Sequence, residues 1–294
     1  MNSIAEATAI ILTTYNPCSS SLKENLGSYV FQVGRIIVCD NTDNEAIALQ
    51  VKQACSDYGN VNYLSMEGNR GIAYAQNKGI EFAISLGCNY FIEMDQDSKL
   101  GESFVSDITK TYSLLISNNL SIAGVGPVAV SKEQGFIYHG YEWDSGVYMV
   151  DKTLSSGFFF SKHAYRLVGG KDELLFIDLV DWDWCWRARS KSLNVVVDTS
   201  IKIEHMLGDG HKDVLGFKVG LPAPVRLYYQ YRNSIYMLSK THVPFVWKLK
   251  RVGILILKVP YYLIFANRRL ERVGYIFDGL ISAFKKNMGA LKKC

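Results

Sequence analysis

The sequence predicts an α/β protein with a single, Rossmann-like, mostly parallel sheet that is flanked by helices and followed by a basic helical extension. Over roughly the first hundred residues, short apolar runs of strand length alternate with longer segments of helical length. The apolar runs show little polar alternation, which is typical of parallel strands that are covered on both faces. Segment 240–294 holds 12 Lys and Arg against two acidic residues. We therefore expect one main domain over 1–239 and a basic amphipathic helical tail over 240–294.

Four apolar runs in the first part of the chain predict the central strands, and the segments between them predict helices. Turn-forming clusters such as Asn16-Pro17 and Gly68-Asn69 separate the two kinds of element. The predicted strands cover 7–12, 35–41, 61–64 and the run that begins at Tyr90, and the predicted helices cover 19–33, 45–58 and 72–86.

The second part of the chain continues with less regular alternation. Segment 135–149 is rich in Tyr, Trp and Gly without a helical period, which predicts loops or edge strands. The remaining predicted strands cover 122–130, 155–160 and 195–197, and the predicted helices cover 104–118, 162–168, 179–190 and 225–238.

Composition and charge exclude several classes of protein. The six cysteines are scattered and form no Cys-x-x-Cys pair, which argues against a zinc site or a disulfide framework. The first residues lack the basic and apolar segments of a secretory signal, so we expect a cytoplasmic protein. Because the basic residues cluster in an apolar tail while the remainder of the chain is acidic, nucleic acid is not an expected partner.

Two closely spaced carboxylates end the apolar run that begins at Tyr90. Asp95 and Asp97 are separated only by Gln96, and ligands of open α/β sheets bind at the carboxyl ends of the strands. Such carboxylates repel each other unless a cation lies between them, and oxygen ligands suit Mg²⁺ or Mn²⁺. The stretch predicts a cation site for a substrate diphosphate, and the alternative is an acidic turn.

Polar residues also end the first two predicted strands. Thr13, Tyr15 and Asn16 follow the first strand, and Asp40 and Asn41 end the second. Neighbouring parallel strands bring these groups to one edge of the sheet, where a carboxylate is able to accept a hydrogen bond from a pyrimidine base. Ordinary turn chemistry is the alternative interpretation, since Asp and Asn favour turns.

The stretch 69–79 combines polar residues with small ones at the start of a predicted helix. Small residues at a helix start let a ligand approach closely. The free backbone N–H groups of the first turn favour anions or polar rings there. Alternatively, the small residues let the helix pack tightly on the sheet. The candidate binding residues here are Asn69, Arg70, Gly71 and Asn77.

Two further segments contain candidate catalytic or metal-binding residues. Asp181, beside Trp182, is a candidate general base for a hydroxyl nucleophile, although an Asp in a first helical turn is commonly a cap. Asp183 lies four residues before Arg187, at the spacing of a helical ion pair. His205 follows the last predicted strand and is a candidate third metal ligand or diphosphate contact, the alternative being a structural histidine.

Taken together, these motifs resemble the inverting glycosyltransferases of family 2, which have the GT-A fold. The resemblance covers about residues 8–235, with a nucleotide-sugar half over about 1–100 and an acceptor half over about 101–239. Two sequence motifs are most similar to the bacterial rhamnosyltransferase branch. They are Met94-Asp95-Gln96-Asp97-Ser98 and Phe176-Ile177-Asp178-x-x-Asp181.

The resemblance implies a role for each motif. Asp95 and Asp97 would hold the ribose and a divalent cation, Mg²⁺ or Mn²⁺, and His205 would assist. Asp181 would be the general base. The implied nucleotide-sugar contacts are Thr13, Tyr15, Asn16, Asp40, Asn69, Arg70, Gly71, Asn77, Asp95 and Arg232, the last at the leaving phosphate, and the implied acceptor contacts are Gly157, Trp182 and Trp184.

The chain departs from the family pattern near the implied base. Val180 stands where many relatives have an acidic residue, and Trp182 is bulkier than the usual residue. These departures leave the base between Asp181 and Asp183, with Asp181 preferred from the Cys-x-Arg that follows.

The resemblance implies rhamnosyl transfer from dTDP-L-rhamnose to a glycan or an undecaprenyl-diphosphate-linked glycan, in O-antigen or capsule assembly. A UDP-hexose transferase and a non-catalytic nucleotide-sugar binding module are the alternatives.

The basic tail predicts a helix that lies on a membrane surface. Lys248, Arg251 and Lys258 recur at helical spacing, and the apolar run between them is shorter than the roughly 20 residues of a spanning helix. A basic face opposite apolar residues suits an anionic interface, so we expect a peripheral protein on the cytoplasmic face of the inner membrane. The alternative is a helical cap packed on the catalytic domain.

Overall fold

The structure is a computed structural model that describes residues 3–131, 134–135, 140–205, 211–214 and 217–291. Within these residues the strands form one mixed sheet in the order β3-β2-β1-β4-β10-β6-β11-β9-β8, with β5 beside β11, β7 beside β6, and β12 and β13 as a separate hairpin. The strands are β1 Thr8–Thr14, β2 Arg35–Asp40, β3 Val61–Ser65, β4 Tyr90–Asp95, β5 Ser98–Lys99, β6 Ile122–Ser131, β7 Gln134–Gly135, β8 Gly140–Asp144, β9 Val147–Val150, β10 Phe158–Ser161, β11 Asn194–His205, β12 His211–Val214 and β13 Phe217–Gly220.

Helices cover both faces of the sheet and continue beyond it at the C-terminal end. A short 3₁₀ turn over Glu173–Leu175 precedes the seventh helix. The helices are α1 Ser3–Glu6, α2 Ser19–Tyr29, α3 Glu45–Ser56, α4 Ile72–Ser85, α5 Phe104–Ser117, α6 Lys162–Val168, α7 Val180–Ser190, α8 Pro224–Leu238, α9 Phe245–Phe265 and α10 Arg269–Phe284.

The α/β class predicted from the sequence is confirmed, with parallel pairing among the first four long strands and again between β6 and β11. β1 pairs in parallel with β2 and with β4, and β2 pairs in parallel with β3. β10 is antiparallel to both of its neighbours, and β8 and β9 form an antiparallel edge in the segment predicted as loops or edge strands. The register places Thr14 beside Asp40 and Thr13 beside Asp95, so the carboxyl ends of these strands meet at one edge.

Residues 9–12 in the middle of β1 are apolar and fully buried because helices cover both faces of the sheet. Ile10 and Leu12 of β1 pack into a core with α2, α3 and α5. Ile11, on the opposite face of β1, packs with α4, α6 and α7. Successive residues of a strand point to opposite faces, so a strand covered on both sides needs apolar residues at every position.

Helix α4 lies very close to the sheet at Gly79. A Cβ atom at this position would lie 2.4 Å from Cys39 Sγ and 2.7 Å from Ile11 Cγ2. Tight packing on the sheet therefore explains the small residue at position 79.

A buried ion pair joins β4 to the segment after α6. Lys171 Nζ lies 3.0 Å from Glu93 Oε2, and both side chains are at most 1% exposed. Burial raises the pKa of Glu93, and the nearby ammonium of Lys171 opposes that rise. The pair fixes segment 169–176 against the strand that ends in Asp95.

We expect Lys171→Met to lower the free energy of unfolding by about 3–5 kcal/mol, because the substitution leaves the Glu93 carboxylate buried without its cation. The double variant Lys171→Met/Glu93→Leu removes both charges and should recover much of this loss. Urea unfolding followed by circular dichroism measures both values. A double variant as unstable as Lys171→Met would contradict the electrostatic explanation.

Candidate active site

A cleft of about 680 Å³ opens at the carboxyl ends of β1 and β4. Its walls come from the turns that follow these strands, from segment 176–182 at the start of α7, and from helices α8 and α9. Strands that share one edge thus bring together residues that lie far apart in the sequence, as in other open α/β sheets.

Three carboxylates line one side of this cleft. Asp95 is the last residue of β4, Asp97 lies just after it, and Asp181 lies in the first turn of α7. Burial raises the pKa of Asp95 to about 7, and the neighbouring carboxylates Asp97, Asp181 and Glu93 contribute to the rise. Burial also raises the pKa of Asp181 to about 6, while the N–H of Trp182 and the ammonium of Lys171 hold it down.

The paired carboxylates fit a divalent cation that also binds a phosphorylated ligand. Mg²⁺ is commonly held by one or two carboxylates together with substrate phosphates and water. Burial and the neighbouring carboxylates raise the pKa of Asp95, and a bound cation would favour its charged form. Among the described residues, no group of three His, Cys, Asp or Glu side chains is placed to hold a metal. The backbone of His205 pairs with Ser98, next to Asp97, and its side chain lies outside the described residues.

The residues after β1 form the floor of the cleft. Tyr15 donates its N–H to Gln96 Oε1 at 2.7 Å and its hydroxyl to Asp43 Oδ2 at 3.1 Å. Asn16, with φ 46°, donates its N–H to Thr42 Oγ1 at 2.9 Å, so it shapes the turn. Thr13 lines the cleft, and its buried hydroxyl has no hydrogen-bond partner among the described residues.

Asp40 lies beneath the cleft. Its carboxylate accepts hydrogen bonds from Thr14 Oγ1 at 2.8 Å, Thr42 Oγ1 at 2.6 Å and Tyr63 Oη at 3.1 Å, and its side chain is buried. A direct contact between Asp40 and a base does not fit this arrangement, because the carboxylate already holds the strand ends together. Its neighbour Asn41 lines the cleft instead.

The loop 69–71 is fixed against the strand ends and against segment 176–182. Asn69 accepts the N–H of Gly71 at 3.1 Å and donates its own N–H to Asp43 Oδ1 at 2.8 Å. Gly71 has φ +88°, and a Cβ there would lie 2.6 Å from Phe176 O, so only glycine fits. Asn69 and Gly71 line the cleft, whereas the guanidinium of Arg70 lies 4.7 Å above the Tyr74 ring.

Asn77 has a structural position, although the sequence analysis assigned it to ligand binding. It accepts the N–H of Lys171 at 2.7 Å and donates to Lys171 O at 3.0 Å and Glu173 Oε1 at 2.8 Å. It is buried and does not line the cleft. Asn77 does not face the cleft because its side chain holds the backbone of the segment after α6.

The structure separates the two candidate bases. Asp183 is 1% exposed, accepts a hydrogen bond from Arg187 Nε at 2.8 Å and lies 2.7 Å from His242 Nε2. It does not line the cleft, whereas Asp181 does. The alternative assignment of Asp183 as the base is therefore not supported by the geometry.

The backbone before Asp181 is strained. Phe176, Asp178 and Leu179 have φ values of 63°, 65° and 68°. Such conformations are unfavourable for residues with side chains, and they concentrate at functional sites. Here they turn the chain sharply, so that α7 begins beside the cleft.

Of the three predicted acceptor contacts, only Trp182 lines the cleft, with the ammonium of Lys152 4.5 Å from its ring centroid. Trp184 is fully buried among core aromatic rings and donates its indole N–H to Gly169 O at 2.9 Å, so it is a core residue. Gly157, with φ +79°, forms the turn before β10, and the adjacent Ser155 lines the cleft.

The positively charged residues that line the cleft do not include the predicted Arg232. Arg232 is fully buried and donates to the carbonyl groups of Leu174, Leu175 and Gly289, so it does not reach the cleft. Three other cations line the cleft. Arg226 was not singled out by the sequence analysis, whereas Arg251 and Lys258 were assigned to a basic face toward the membrane and instead face the cleft.

Arg226 forms a bidentate pair with Asp178 on this side. Its Nη2 lies 2.8 Å and its Nε 3.1 Å from Asp178 Oδ1. Arg226 also lowers the pKa of Asp95, so its charge acts across the cleft.

A mostly parallel sheet with paired carboxylates at a strand end, beside a cleft walled by the second half of the chain, is the arrangement expected of a glycosyltransferase of GT-A type. The chain belongs to glycosyltransferase family 2, since residues 9–170 match the model described as "Glycosyl transferase family 2". It is 30% identical over 256 residues to the dTDP-rhamnosyl transferase RfbF of Shigella flexneri, which covers 82% of this chain and 83% of the relative.

Two further comparisons agree with this family and fold. The low-salt glycan biosynthesis hexosyltransferase Agl10 of Haloferax volcanii is 22% identical over 205 residues, 64% of this chain and 63% of its own. A crystal structure of GalNAc-T7 with UDP, GalNAc and Mn²⁺ superposes with a TM-score of 0.58 and 11% identity, covering 88% of this chain and 58% of that longer chain. At that identity the superposition shows the fold alone.

The crowded carboxylates predict that stability without divalent cations falls with rising pH. The folded-state pKa of Asp95, about 7, lies above its ordinary value of 3.8, so the folded state binds this proton more tightly. The contribution of Asp95 protonation to the free energy of unfolding is therefore fully present below about pH 4, and it is lost as the pH rises towards 7. In EDTA, the melting temperature of Asp97→Asn should exceed that of the wild type by about 2–4 °C at pH 8, and by less at pH 5.5.

Differential scanning calorimetry at the two pH values measures this difference, and Mg²⁺ or Mn²⁺ added at pH 8 should stabilise the wild type only. An Asp97→Asn protein whose melting temperature follows that of the wild type at both pH values would contradict the proposed repulsion.

Proposed function

We propose that the protein is an inverting, cation-dependent glycosyltransferase that transfers rhamnose from dTDP-L-rhamnose to a glycan acceptor in O-antigen or capsule assembly. The observation that carries this proposal is the placement of Asp181 in the same cleft as Asp95 and Asp97. Similarity to an enzyme named as a dTDP-rhamnosyl transferase supports the choice of sugar.

Asp181 is the proposed general base. Because its pKa is about 6, it is deprotonated at neutral pH and yet a stronger proton acceptor than an exposed carboxylate. It takes the proton of an acceptor hydroxyl while the hydroxyl oxygen bonds to the anomeric carbon. The bond from that carbon to the nucleoside diphosphate breaks on the opposite face, which inverts the configuration.

The remaining cleft residues bind and orient the donor. Asp95 and Asp97 would hold a divalent cation, Mg²⁺ or Mn²⁺, which stabilises negative charge on the departing diphosphate. Tyr15, Asn41 and Asn69 lie on the wall that we assign to base and ribose.

Substitution of the proposed base separates catalysis from binding. Asp181→Asn should lower kcat by about 10²–10⁴-fold, the usual contribution of a general base, while the Kd of dTDP with Mg²⁺ stays within about twofold. Transfer assays and calorimetric titration measure the two effects. Asp183→Asn is the matched control, since it breaks a buried ion pair outside the cleft and should lower stability more than kcat. Near-normal turnover by Asp181→Asn would refute the assignment.

A panel of nucleotide sugars identifies the donor. With Mg²⁺ or Mn²⁺ present, dTDP-rhamnose should raise the melting temperature more than UDP-glucose or UDP-galactose does, because a ligand that binds only the folded state stabilises it by mass action. Preference for a UDP-hexose would favour the alternative donor class. Donor stabilisation without transfer or slow donor hydrolysis would identify a non-catalytic binding module.

We also propose that segment 240–294 holds the enzyme on the cytoplasmic face of an anionic inner membrane, where a lipid-linked acceptor would be presented. α10 packs on α8, and a Cβ at Gly279 would lie 2.5 Å from Tyr228 O, so the inner side of the tail is a cap on domain 1–239. Among the described residues, no helix combines the length and apolarity of a membrane span. We place the proposed membrane contact on the outer side of the tail.

The outer side of α9 is apolar. Val246, Leu249, Ile256, Leu257 and Ile264 are each 58–72% exposed, which is unusual for a water-facing helix. Exposed basic residues of the tail suit anionic headgroups. Lys250 lies on α9 itself, and Lys285 and Lys286 directly follow α10.

The double variant Leu249→Glu/Ile256→Glu should lower binding to phosphatidylglycerol-containing vesicles at least about tenfold, because each substitution replaces an inserting apolar group by an anion. Vesicle flotation at low salt measures the fraction of protein that is bound. Leu49→Glu, at an exposed leucine of α3, is the control and should bind as the wild type does. Absence of wild-type flotation, or a dimer in sedimentation that the double variant dissociates, would overturn the membrane assignment.

A further inference from the structure

Helix α9 carries its charges mainly on the side that faces the protein. Of its four basic residues, Lys250 is exposed, whereas Lys248, Arg251 and Lys258 are partly buried. Arg251 and Lys258 line the same cleft as the carboxylates. This placement reverses the usual pattern of a surface helix, in which charges face water and apolar residues face the protein.

The two cleft-facing cations lie on one helix face. They are seven residues apart, which is two helical turns and about 10 Å along the axis. Long side chains at this spacing are able to converge on one ligand between them. Arg251 Nε donates to Ser234 Oγ at 2.7 Å, which leaves its two terminal nitrogens directed elsewhere.

Neither of these cations forms an ion pair with another described residue. Asp178 is the acid that acts on both, and its carboxylate already forms the bidentate pair with Arg226. Within the described residues, Lys258 makes no hydrogen bond or ion pair, and burial lowers its pKa. A half-buried lysine without a partner costs free energy, and an anion in the cleft would recover it.

We propose that Arg251 and Lys258 form a diphosphate-binding subsite that recognises the lipid-linked diphosphate of the acceptor. This inference rests on the proposed function, in which the donor diphosphate is bound through the cation at Asp95 and Asp97. A second diphosphate bound at α9 would lie on the helix whose opposite face is the exposed apolar surface. The polyprenyl chain of the acceptor then has a short path from the subsite to the membrane.

Direct binding in EDTA tests the subsite without the cation site and without turnover. Inorganic pyrophosphate and farnesyl diphosphate are titrated into the wild type, Lys258→Gln and Lys52→Gln. Lys258→Gln should weaken binding of both probes about tenfold, the usual effect of losing one charge-assisted hydrogen bond. Lys52→Gln removes the same charge from the exposed side of α3, away from the cleft and the tail, and should bind both probes as the wild type does. Equal binding by all three proteins would overturn the subsite.

Two acceptors then distinguish the source of the diphosphate. One is a glycan on a lipid diphosphate, and the other is the same glycan on a neutral alkyl aglycone. Lys258→Gln should raise KM about tenfold for the first acceptor only, with the Kd of dTDP and Mg²⁺ unchanged and the melting temperature kept. Equal losses on both acceptors together with weaker dTDP binding would overturn the acceptor assignment and place the donor diphosphate at α9.

The two arms also separate this inference from the proposed function. If no dTDP-sugar is turned over, the proposed function fails, while the pyrophosphate and farnesyl diphosphate titrations still decide whether the subsite exists.

Discussion

Repulsion among the carboxylates of the cleft is the interaction on which most of this structure depends. Asp95, Asp97 and Asp181 line the same cleft, and burial together with the neighbouring carboxylates raises the pKa of Asp95 to about 7. Perturbed pKa values concentrate at functional sites, and here the charges suit a cation and a proton acceptor. The surrounding elements hold these groups close despite their repulsion.

Buried polar residues supply that rigidity. Asp40 ties the turns after β1 and β2 together, Asn77 fixes the backbone at Lys171, and Arg232 holds the carbonyl groups before segment 176–182. Each is buried with several hydrogen bonds, so each positions the cleft without lining it. Polar residues that the sequence analysis assigned to ligand binding therefore stabilise the walls of the cleft instead.

Helix α9 connects the cleft to the outside of the protein. Arg251 and Lys258 place positive charge opposite the carboxylates, while the apolar outer side suits a bilayer. A helix with cations on its cleft-facing side and apolar residues on its outer side is unfavourable in water. It is compatible with an anionic ligand in the cleft and lipid against the outer side. Cleft and tail are thus parts of one proposed site rather than a catalytic domain with a separate anchor.

The sequence by itself determined the α/β fold, the parallel strands and the acidic strand end, because the periods of strands and helices are local properties of the chain. It also identified Asp95 and Asp97, whose strand ends at the edge where ligands bind. The resemblance already favoured Asp181 over Asp183, but only the tertiary structure showed that Asp181 lines the cleft and Asp183, about 200° away around α7, does not. The same holds for Arg226 and the buried Arg232 on α8. Which face of a helix meets the cleft depends on its rotation against the sheet, and distant packing sets that rotation.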